Sequence, residues 1–539
     1  MSLARPFVLS LLIATSLAGA VMAAPSAEPS DLRRRLTESG DTLKIAGRTL
    51  DLGALRAFYE SRGFQLAWGG AGEAAGDRLT ADLQTVAIDH GLPVEPYAIP
   101  TATSDIDHDL LLSDAAVRLG HDIAAGRLPP SPTFGGLGAG TRPAFEPGRF
   151  LTQAAAGTPL PQLAEGLQPR AAAYQALEKA LVRYRDIVRA GGWRQIPAGP
   201  AVKPGQEDDR MPLVRARLIA SGELEAGQDK GHRLDPKVSR ALERFQEHHG
   251  IEPDGALGKP TLAALNVTAE ERLQQIIVNL ERWRWQPRTP EAVYIAVNIP
   301  NQTLDLIENG QSTLSMRVVV GEPKHQTPGM MTKMTAVIVN PTWTIPPSIA
   351  AKEILPKLRQ DPNYLVANNM RILDAFPENS PQASGIGVDW KKMRRFPYKL
   401  RQKPGPDNAL GLVKFNLITD DAIYLHDTPL RAFFKHGYRA LSHGCVRVER
   451  PVELAEHILG GPWTGKVGQA IADATTKTLK LNQPLPVYMQ YWTAWADPDG
   501  TVHFRDDIYG HDGRMAAAMN RRPRQAPGQM AQDDRKTRL

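Results

Sequence analysis

The period of the apolar residues changes once along this chain, near residue 292, and no single layer of secondary structure satisfies both periods. Upstream, apolar side chains recur at helical spacing over residues 52–68 and 110–128, and Ala173, Leu177, Leu181 and Tyr184 fall on one stripe with charges between them. Downstream, residues 293–297, 303–307, 316–320 and 336–339 alternate or run apolar around Pro300-Asn301 and Asn309-Gly310, the pattern of a strand meander. A helical stripe and a pleated face bury themselves in different layers, so the expected fold is a multidomain α+β chain, helices first and then a mainly β unit. At 539 residues the chain exceeds what one core of about 250–300 residues holds, and three globular units fit.

Punctuation places the boundaries. Gly- and Pro-rich stretches at 129–147 and 197–205 read as linkers or long loops within and after a helical N-terminal unit, 24–204. Residues 205–268 make a compact three-helix unit. Asp235 before Pro236 starts one helix, because the carboxylate accepts from free amides and proline suits the first turn. Val238, Ala241, Leu242 and Phe245 share its apolar face, and Gly250 ends it. Leu273, Ile276, Ile277, Leu280 and Trp283 make a linking helix within 269–291, packed across the junction to the β unit at 292–512. About 346–410 of that unit is polar and Pro-rich, with a helix at 348–358, and reads as a lid-like insertion or a structural excursion. Residues 485–492 make a strand, 495–504 a hairpin, and 513–539 lack periodicity and are expected to be a disordered, solvated tail.

Residues 1–23 read as an export signal: Arg5 supplies the positive start, 6–20 are almost entirely apolar or small, and Val21-Met22-Ala23 suits cleavage before Ala24. No later stretch approaches the roughly 18 apolar residues of a membrane span, so a soluble exported chain is expected. The net charge of +6 suits an acidic polymer. Bases and acids are interspersed, and zinc-finger spacing, a P-loop and an RNA-binding aromatic signature are missing, so nucleic acid is not an expected partner. His248-His249 point in different directions on a helix and lack a third ligand, which makes them helix-end or surface residues and not a metal site.

Cys445 is the chain's one cysteine. A single thiol cannot form an intramolecular disulfide and is a liability in an oxidising compartment unless it is used, which makes it the first candidate nucleophile. The bland alternative is a small buried apolar side chain. A thiol nucleophile needs a base, a group that orients the base, and amides aimed at the developing oxyanion. His426, where a strand at 422–425 meets the loop Asp427-Thr428-Pro429, and His443 are the imidazoles near in sequence, and Gly444 permits a backbone that turns amides inward. Ser442 could touch substrate or merely cap a turn. Zinc held by His426, His443 and Cys445 with an open fourth position is a competing reading that chelator sensitivity would separate.

Two resemblances sharpen this. Residues 238–266, through Phe245-Gln246, Gly250-Ile251, Pro253-Asp254-Gly255 and Gly258, resemble a peptidoglycan-binding module, which docks cell-wall strands. His426 followed by Ser442-His443-Gly444-Cys445 resembles the signature of the L,D-transpeptidases, whose catalytic domain is of the YkuD type. Gln326-Thr327-Pro328, Asn340-Pro341-Thr342-Trp343, Asn408-Ala409-Leu410-Gly411 and Val413-Lys414-Phe415 match further segments of that family. The helical start, binding module and insertion together resemble its long Gram-negative members with a scaffold domain.

The resemblance implies a YkuD-like β-sandwich and a cysteine acyl transfer between peptidoglycan tetrapeptide stems, donor and acceptor alike, with no cofactor and no metal. Cys445 would attack the diaminopimelate carbonyl at stem position three and expel D-alanine; the amine of a second diaminopimelate would resolve the thioester into a 3-3 cross-link. Carbapenems, which resemble the donor, would acylate the same thiol. His426 would carry the proton, oriented by a backbone carbonyl such as that of Asp427, and amides near Gly444 and Cys445 would hold the oxyanion. His443 would shape the site, although sequence alone permits the two histidines to exchange roles. Arg447, where many relatives have asparagine, would bind a substrate carboxylate or brace the loop. The implied compartment is the periplasm, with cell-wall synthesis proteins as candidate partners. Water as acceptor would instead make an L,D-carboxypeptidase or cross-link hydrolase, and a decayed motif would leave a non-catalytic wall-binding scaffold. A papain-like peptidase is disfavoured because its cysteine precedes its histidine.

Overall fold

A computed structural model describes residues 29–69, 72–137, 143–376, 380–419 and 423–521. The expected leader at 1–23 and residues 522–539 of the expected tail lie outside the described residues.

The N-terminal helices pack around α1, Asp105–Ala125, which is buried on almost every side. Ser104 starts it by accepting from the Asp107 amide at 3.2 Å, and Gly126 ends it at φ +83°. A helix so enclosed must pair its polar side chains internally. Asp109 accepts from the Trp68 amide at 2.7 Å and the Tyr59 hydroxyl at 2.5 Å, and Arg118 reaches Asp114 at 2.6 Å. The stripe of Leu177, Leu181 and Tyr184 lies on α2, Ala172–Arg189, where Tyr174 is buried in place of the expected Ala173, but it forms a separate core with the linking helix and the C-terminal hairpin, Ala494–Ala496 and Val502–Phe504.

The three-helix unit comprises α3, Met211–Ser221, α4, Pro236–His248, and α5, Lys259–Leu265. Asp235 caps α4 as expected, accepting from the Lys237 and Val238 amides at 2.8 and 3.2 Å. The two histidines at its end are not free surface residues. His248 bonds Glu223 at 2.8 Å, and the His249 ring stacks on Phe245 at 3.8 Å and lies 5.6 Å from Phe504. They join this unit to the C-terminal hairpin.

The linking helix α6, Ala269–Arg284, does cross the junction. Two segments expected to be structureless are ordered by it. Within 129–147, the Phe134 carbonyl accepts from Arg282 Nε at 3.0 Å, and Gly135, at φ +73°, lies so close to Tyr491 that a Cβ would stand 2.5 Å from that side chain. Part of the predicted linker is thus a strap on the β unit. Residues 511–519 of the region taken as unit end and disordered tail form a helix, α7, His511–Met519. Only Met515 and Met519 make its apolar face, too few for a readable period, but both are buried against Val278 and Trp285, and Asp512 accepts from Arg282 at 2.6 Å. Tertiary contacts stabilise a helix too short to stand alone.

The β unit is a nine-stranded sheet. Its strands are β1, Val293–Asn298; β2, Thr303–Glu308; β3, Gln311–Gly321; β4, Met330–Val339; β5, Val413–Leu417; β6, Leu425–His426; β7, Ala440–Ser442; β8, Val446–Val448; and β9, Lys477–Gln490. The order is β7-β3-β8-β6-β5-β4-β9-β1-β2, and β2 also pairs with β3, so the sheet closes on itself around one apolar core. The insertion has its own core around Leu358, Leu365, Trp390 and Leu400 and its own sheet of Trp343–Ile345, Lys399–Gln402 and Met370–Leu373. Its expected helix runs through three consecutive turns, Pro347–Ile349, a wide π turn Ala350–Ile354, and Leu355–Gln360. Pro356, which has no N–H to donate, sits where the wide turn ends.

Candidate active site

Strand register brings the chemistry together. The short β6 runs antiparallel to β5 and parallel to β8, pairing His426 with Lys414 on one side and Arg447 on the other. Residues opposite one another leave a sheet on the same face, and residues two apart share that face. Lys414, His426 and Arg447 therefore form a lateral row, with Tyr424 and Cys445 one step along it. The alternate residues Phe415, Leu425 and Val446 point into the core and are fully buried. A cleft of about 640 Å³ opens over this face, lined by Tyr424, His426, Ser442, His443, Cys445 and Arg447, with Trp343 and Glu353 from the insertion on its rim. A wider depression of about 780 Å³ between Arg431 and Thr464 is lined mainly by charged side chains and holds no thiol.

His426 is buried, and its Nδ1 lies 2.5 Å from the Asp427 carbonyl oxygen. A carbonyl only accepts, so Nδ1 carries the hydrogen and Nε2 is the basic atom. Burial, with Arg447 and Lys414 nearby, pushes the imidazole down to about 3 against the pull of the Asp427 and Leu410 carbonyls, so the ring is neutral at pH 7. Burial pushes the Cys445 thiol up, while a hydrogen bond with the Tyr424 backbone and the charges of Lys414 and Arg447 pull it back. The resting pair is a neutral imidazole beside a thiol, not an imidazolium beside a thiolate. Since thiolate is the reactive form, alkylation of Cys445 by iodoacetamide is expected to accelerate through and beyond pH 9, the thiol's ordinary value. A rate that levels off below neutral pH would mean a preformed ion pair.

The motif between them is a rigid turn. The Ser442 hydroxyl donates to the Cys445 carbonyl at 2.6 Å and accepts from the Gly444 amide at 3.1 Å, so it caps the turn. The Gly444 amide is thereby engaged, contrary to its expected part in an oxyanion hole. What Gly444 supplies is its backbone, at φ +109°, and a carbonyl that accepts from Thr327 Oγ1 at 2.7 Å. His443 is half-exposed; its Nε2 lies 2.9 Å from Glu353 of the insertion helix and its ring stacks on His325 at 4.8 Å. Arg447 has two guanidinium nitrogens, Nε and Nη1, buried without a hydrogen-bond partner, and its charge lies 5.6 Å from the Phe433 ring.

Sequence reasoning met Lys414 and Thr327 only inside family-like segments and gave them no role, and it passed over Glu353. Lys414, whose ammonium sits 4.1 Å over the Tyr424 ring, had a local signal, a cation between Val413 and Phe415 in an apolar strand. Thr327 and Glu353 reach the site only through the fold. Among the described residues no group of three His, Cys, Asp or Glu side chains converges to hold a metal ion, so the zinc alternative lacks its ligand set. No helix among them is long and apolar enough to cross a membrane.

Residues 292–481 match the family model of the L,D-transpeptidase catalytic domain, YkuD; residues 53–181 match a scaffold domain, and residues 207–265 a "Putative peptidoglycan binding domain". A curated Haemophilus influenzae protein named "Putative L,D-transpeptidase" is 38% identical over 262 residues, 48% of this chain and 51% of that protein. The chain thus spans about half the length of the curated relative it matches. Solved L,D-transpeptidase structures from Mycobacterium smegmatis (16% identity, 37% of this chain and 58% of that one, TM-score 0.17) and Xylanimonas cellulosilytica (14% identity, 54% and 98%, TM-score 0.18) are similar at values too low to carry a structural argument. The segment that holds Lys414, His426, Cys445 and Arg447 in one row therefore lies within residues that match the L,D-transpeptidase catalytic domain model, on a chain whose upstream residues match scaffold and peptidoglycan-binding models.

Proposed function

We propose that this chain is an extracytoplasmic L,D-transpeptidase that forms 3-3 peptidoglycan cross-links through a Cys445 thioester. The observation that carries the reading is the row itself: a lone thiol, a neutral imidazole whose Nδ1 is held by the Asp427 carbonyl, and a buried, unsatisfied guanidinium, all on one face of one cleft. His426 Nε2 takes the thiol proton as Sγ attacks the diaminopimelate carbonyl. The bond to D-alanine breaks, and its nitrogen leaves with the proton from His426. An acceptor amine then attacks the thioester, gives its proton to His426, and returns the thiol. With Nε and Nη1 unpartnered, the Arg447 guanidinium has charged donors to offer a stem carboxylate.

His443, tied to Glu353, couples the insertion to the catalytic turn, and the insertion is the cover of the donor cleft. Ser442 acts on the turn and not on substrate. The three-helix unit holds the enzyme on its polymer, and the compartment that supplies that polymer is the periplasm.

Purified protein incubated with disaccharide-tetrapeptide and read by mass spectrometry beside Cys445→Ala tests the whole reading. Dimers lacking one D-alanine, absent with the variant, are expected. Tripeptide monomer alone would make water the acceptor and the chain a carboxypeptidase, and products that persist in Cys445→Ala would place the nucleophile elsewhere.

A further inference from the structure

Thr327 lies under the catalytic turn and is fully buried. Its hydroxyl donates to the Gly444 carbonyl at 2.7 Å and accepts from the Gly321 amide at 2.9 Å. Its own amide donates to the Tyr509 hydroxyl at 3.2 Å, and that hydroxyl donates to the Gly321 carbonyl at 2.6 Å. Burial pushes the Tyr509 phenol up to about 12, so it keeps its proton and donates at neutral pH. Tyr509 is itself held: its amide donates to the Tyr491 hydroxyl at 2.8 Å, and Tyr491 donates to Asp507 at 2.7 Å. Asp507 also accepts from the His511 and Asp512 amides, each at 2.8 Å, at the start of α7.

The consequence lies in the geometry of one peptide. The Gly444 carbonyl and the Cys445 N–H belong to the same planar trans unit and point in opposite directions. A hydroxyl that fixes the carbonyl therefore fixes the plane, the direction of the Cys445 N–H and the starting point of the thiol side chain. At φ +109° Gly444 has no side chain to restrain that plane; Ser442 holds the flanking Gly444 amide and Cys445 carbonyl, and Thr327 holds the Gly444 carbonyl of the peptide itself. Tyr491, Asp507, Tyr509 and α7 all lie beyond residues 292–481, the span matched by the catalytic family model.

Resting on the cysteine acyl-transfer reading above, we infer that Thr327, buttressed by Tyr509 of the C-terminal segment, is the positioning residue that sets the Gly444–Cys445 peptide for acylation. The thiol's nucleophilicity does not depend on that plane; stabilisation of the tetrahedral oxyanion does.

Two reactions at Cys445 of the full chain separate these effects: alkylation by iodoacetamide at pH 9, which passes through no oxyanion, and acylation by imipenem, which does. Thr327→Val is expected to lower the acylation rate about 10- to 100-fold, up to the roughly 100-fold lower bound for a lost oxyanion donor because the donor is misplaced and not removed, with alkylation changed by less than about two-fold. Thr327→Ser, which keeps the hydroxyl, is expected to restore acylation to within about three-fold, and Tyr509→Phe to lower it about three- to ten-fold. Alkylation that falls in parallel with acylation would reduce Thr327 to a packing residue and overturn the inference, as would wild-type acylation in both Thr327→Val and Tyr509→Phe. Should Thr327→Val not fold, the same two rates in Tyr509→Phe decide the matter. Wild-type protein that is alkylated but acylated by neither imipenem nor tetrapeptide would sink the transpeptidase reading itself, a result distinct from failure of the variants.

Discussion

Replacement of His426 by glutamine is expected to lower acylation of Cys445 by about 10²- to 10⁴-fold, the range for a lost general base. Glutamine keeps an N–H for the Asp427 carbonyl but offers no basic nitrogen. The same substitution has a signature in stability that an exposed histidine would lack. In the folded chain the imidazole stays neutral down to about 3, whereas an exposed histidine gains its proton near 6.5. Between those values the unfolded chain holds the extra proton, so this group's contribution is complete above about 6.5 and is lost as pH falls toward 3. Wild type should therefore lose stability faster than His426→Gln on acidification, with a difference in slope on the order of 1.4 kcal/mol per pH unit at its steepest. Parallel urea-unfolding profiles from pH 7 to 4 would show that His426 is not the buried neutral base described here.

A second large effect is expected some distance from the thiol. Gly411 adopts φ +62°, and a Cβ there would stand 2.4 Å from the Asp427 carboxylate. That carboxylate cannot simply move away. It accepts from the Leu412 amide at 2.8 Å, the Thr428 amide at 2.7 Å and Arg431 at 2.6 Å. The displacement passes to the Asp427 backbone, whose carbonyl holds His426. Gly411→Ala should thus cost about 2–4 kcal/mol of stability through overpacking and left-handed strain. The surviving folded fraction should acylate about 10-fold or more slowly, as misorientation of a catalytic group implies. Gly437→Ala is the control, since it has open space around it and no positive φ. Equal unfolding midpoints and acylation rates for the two variants would refute the link from Gly411 through Asp427 to the base.

Much of the fold is legible where the information is local. The cap at Asp235, the stripe on α2 and the meander from Val293 onward each follow from residues within one element, because helices and strands impose their periods over a few residues. The helix at 52–68 is shorter than its apolar spacing suggests, ending at Ser61 before Gly63 and Phe64 take positive φ. The Cys445 motif is equally local, since the turn from Ser442 to Cys445 is closed by its own hydroxyl and backbone.

The row of candidate site residues is not local. Lys414, His426 and Arg447 meet because β6 pairs with β5 on one side and β8 on the other, and register between strands is set by the buried alternation of Phe415, Leu425 and Val446, not by spacing along the chain. The contacts that hold the turn are more remote still: Thr327 and Tyr509 are 182 residues apart, and Arg282 and Asp512 are 230. Helix α7 was unreadable for the same reason, since two buried methionines make no period, and Arg282 holds it only after the chain has folded back. The residues themselves thus determined the layers, the candidate nucleophile and its neighbouring histidine, because those depend on covalent neighbours and short-range geometry. Tertiary structure alone decided which imidazole is buried and neutral, which cations face the thiol and what fixes the Gly444–Cys445 peptide, because each depends on burial and on partners that only the closed sheet and the docked C-terminal helix bring within hydrogen-bonding distance.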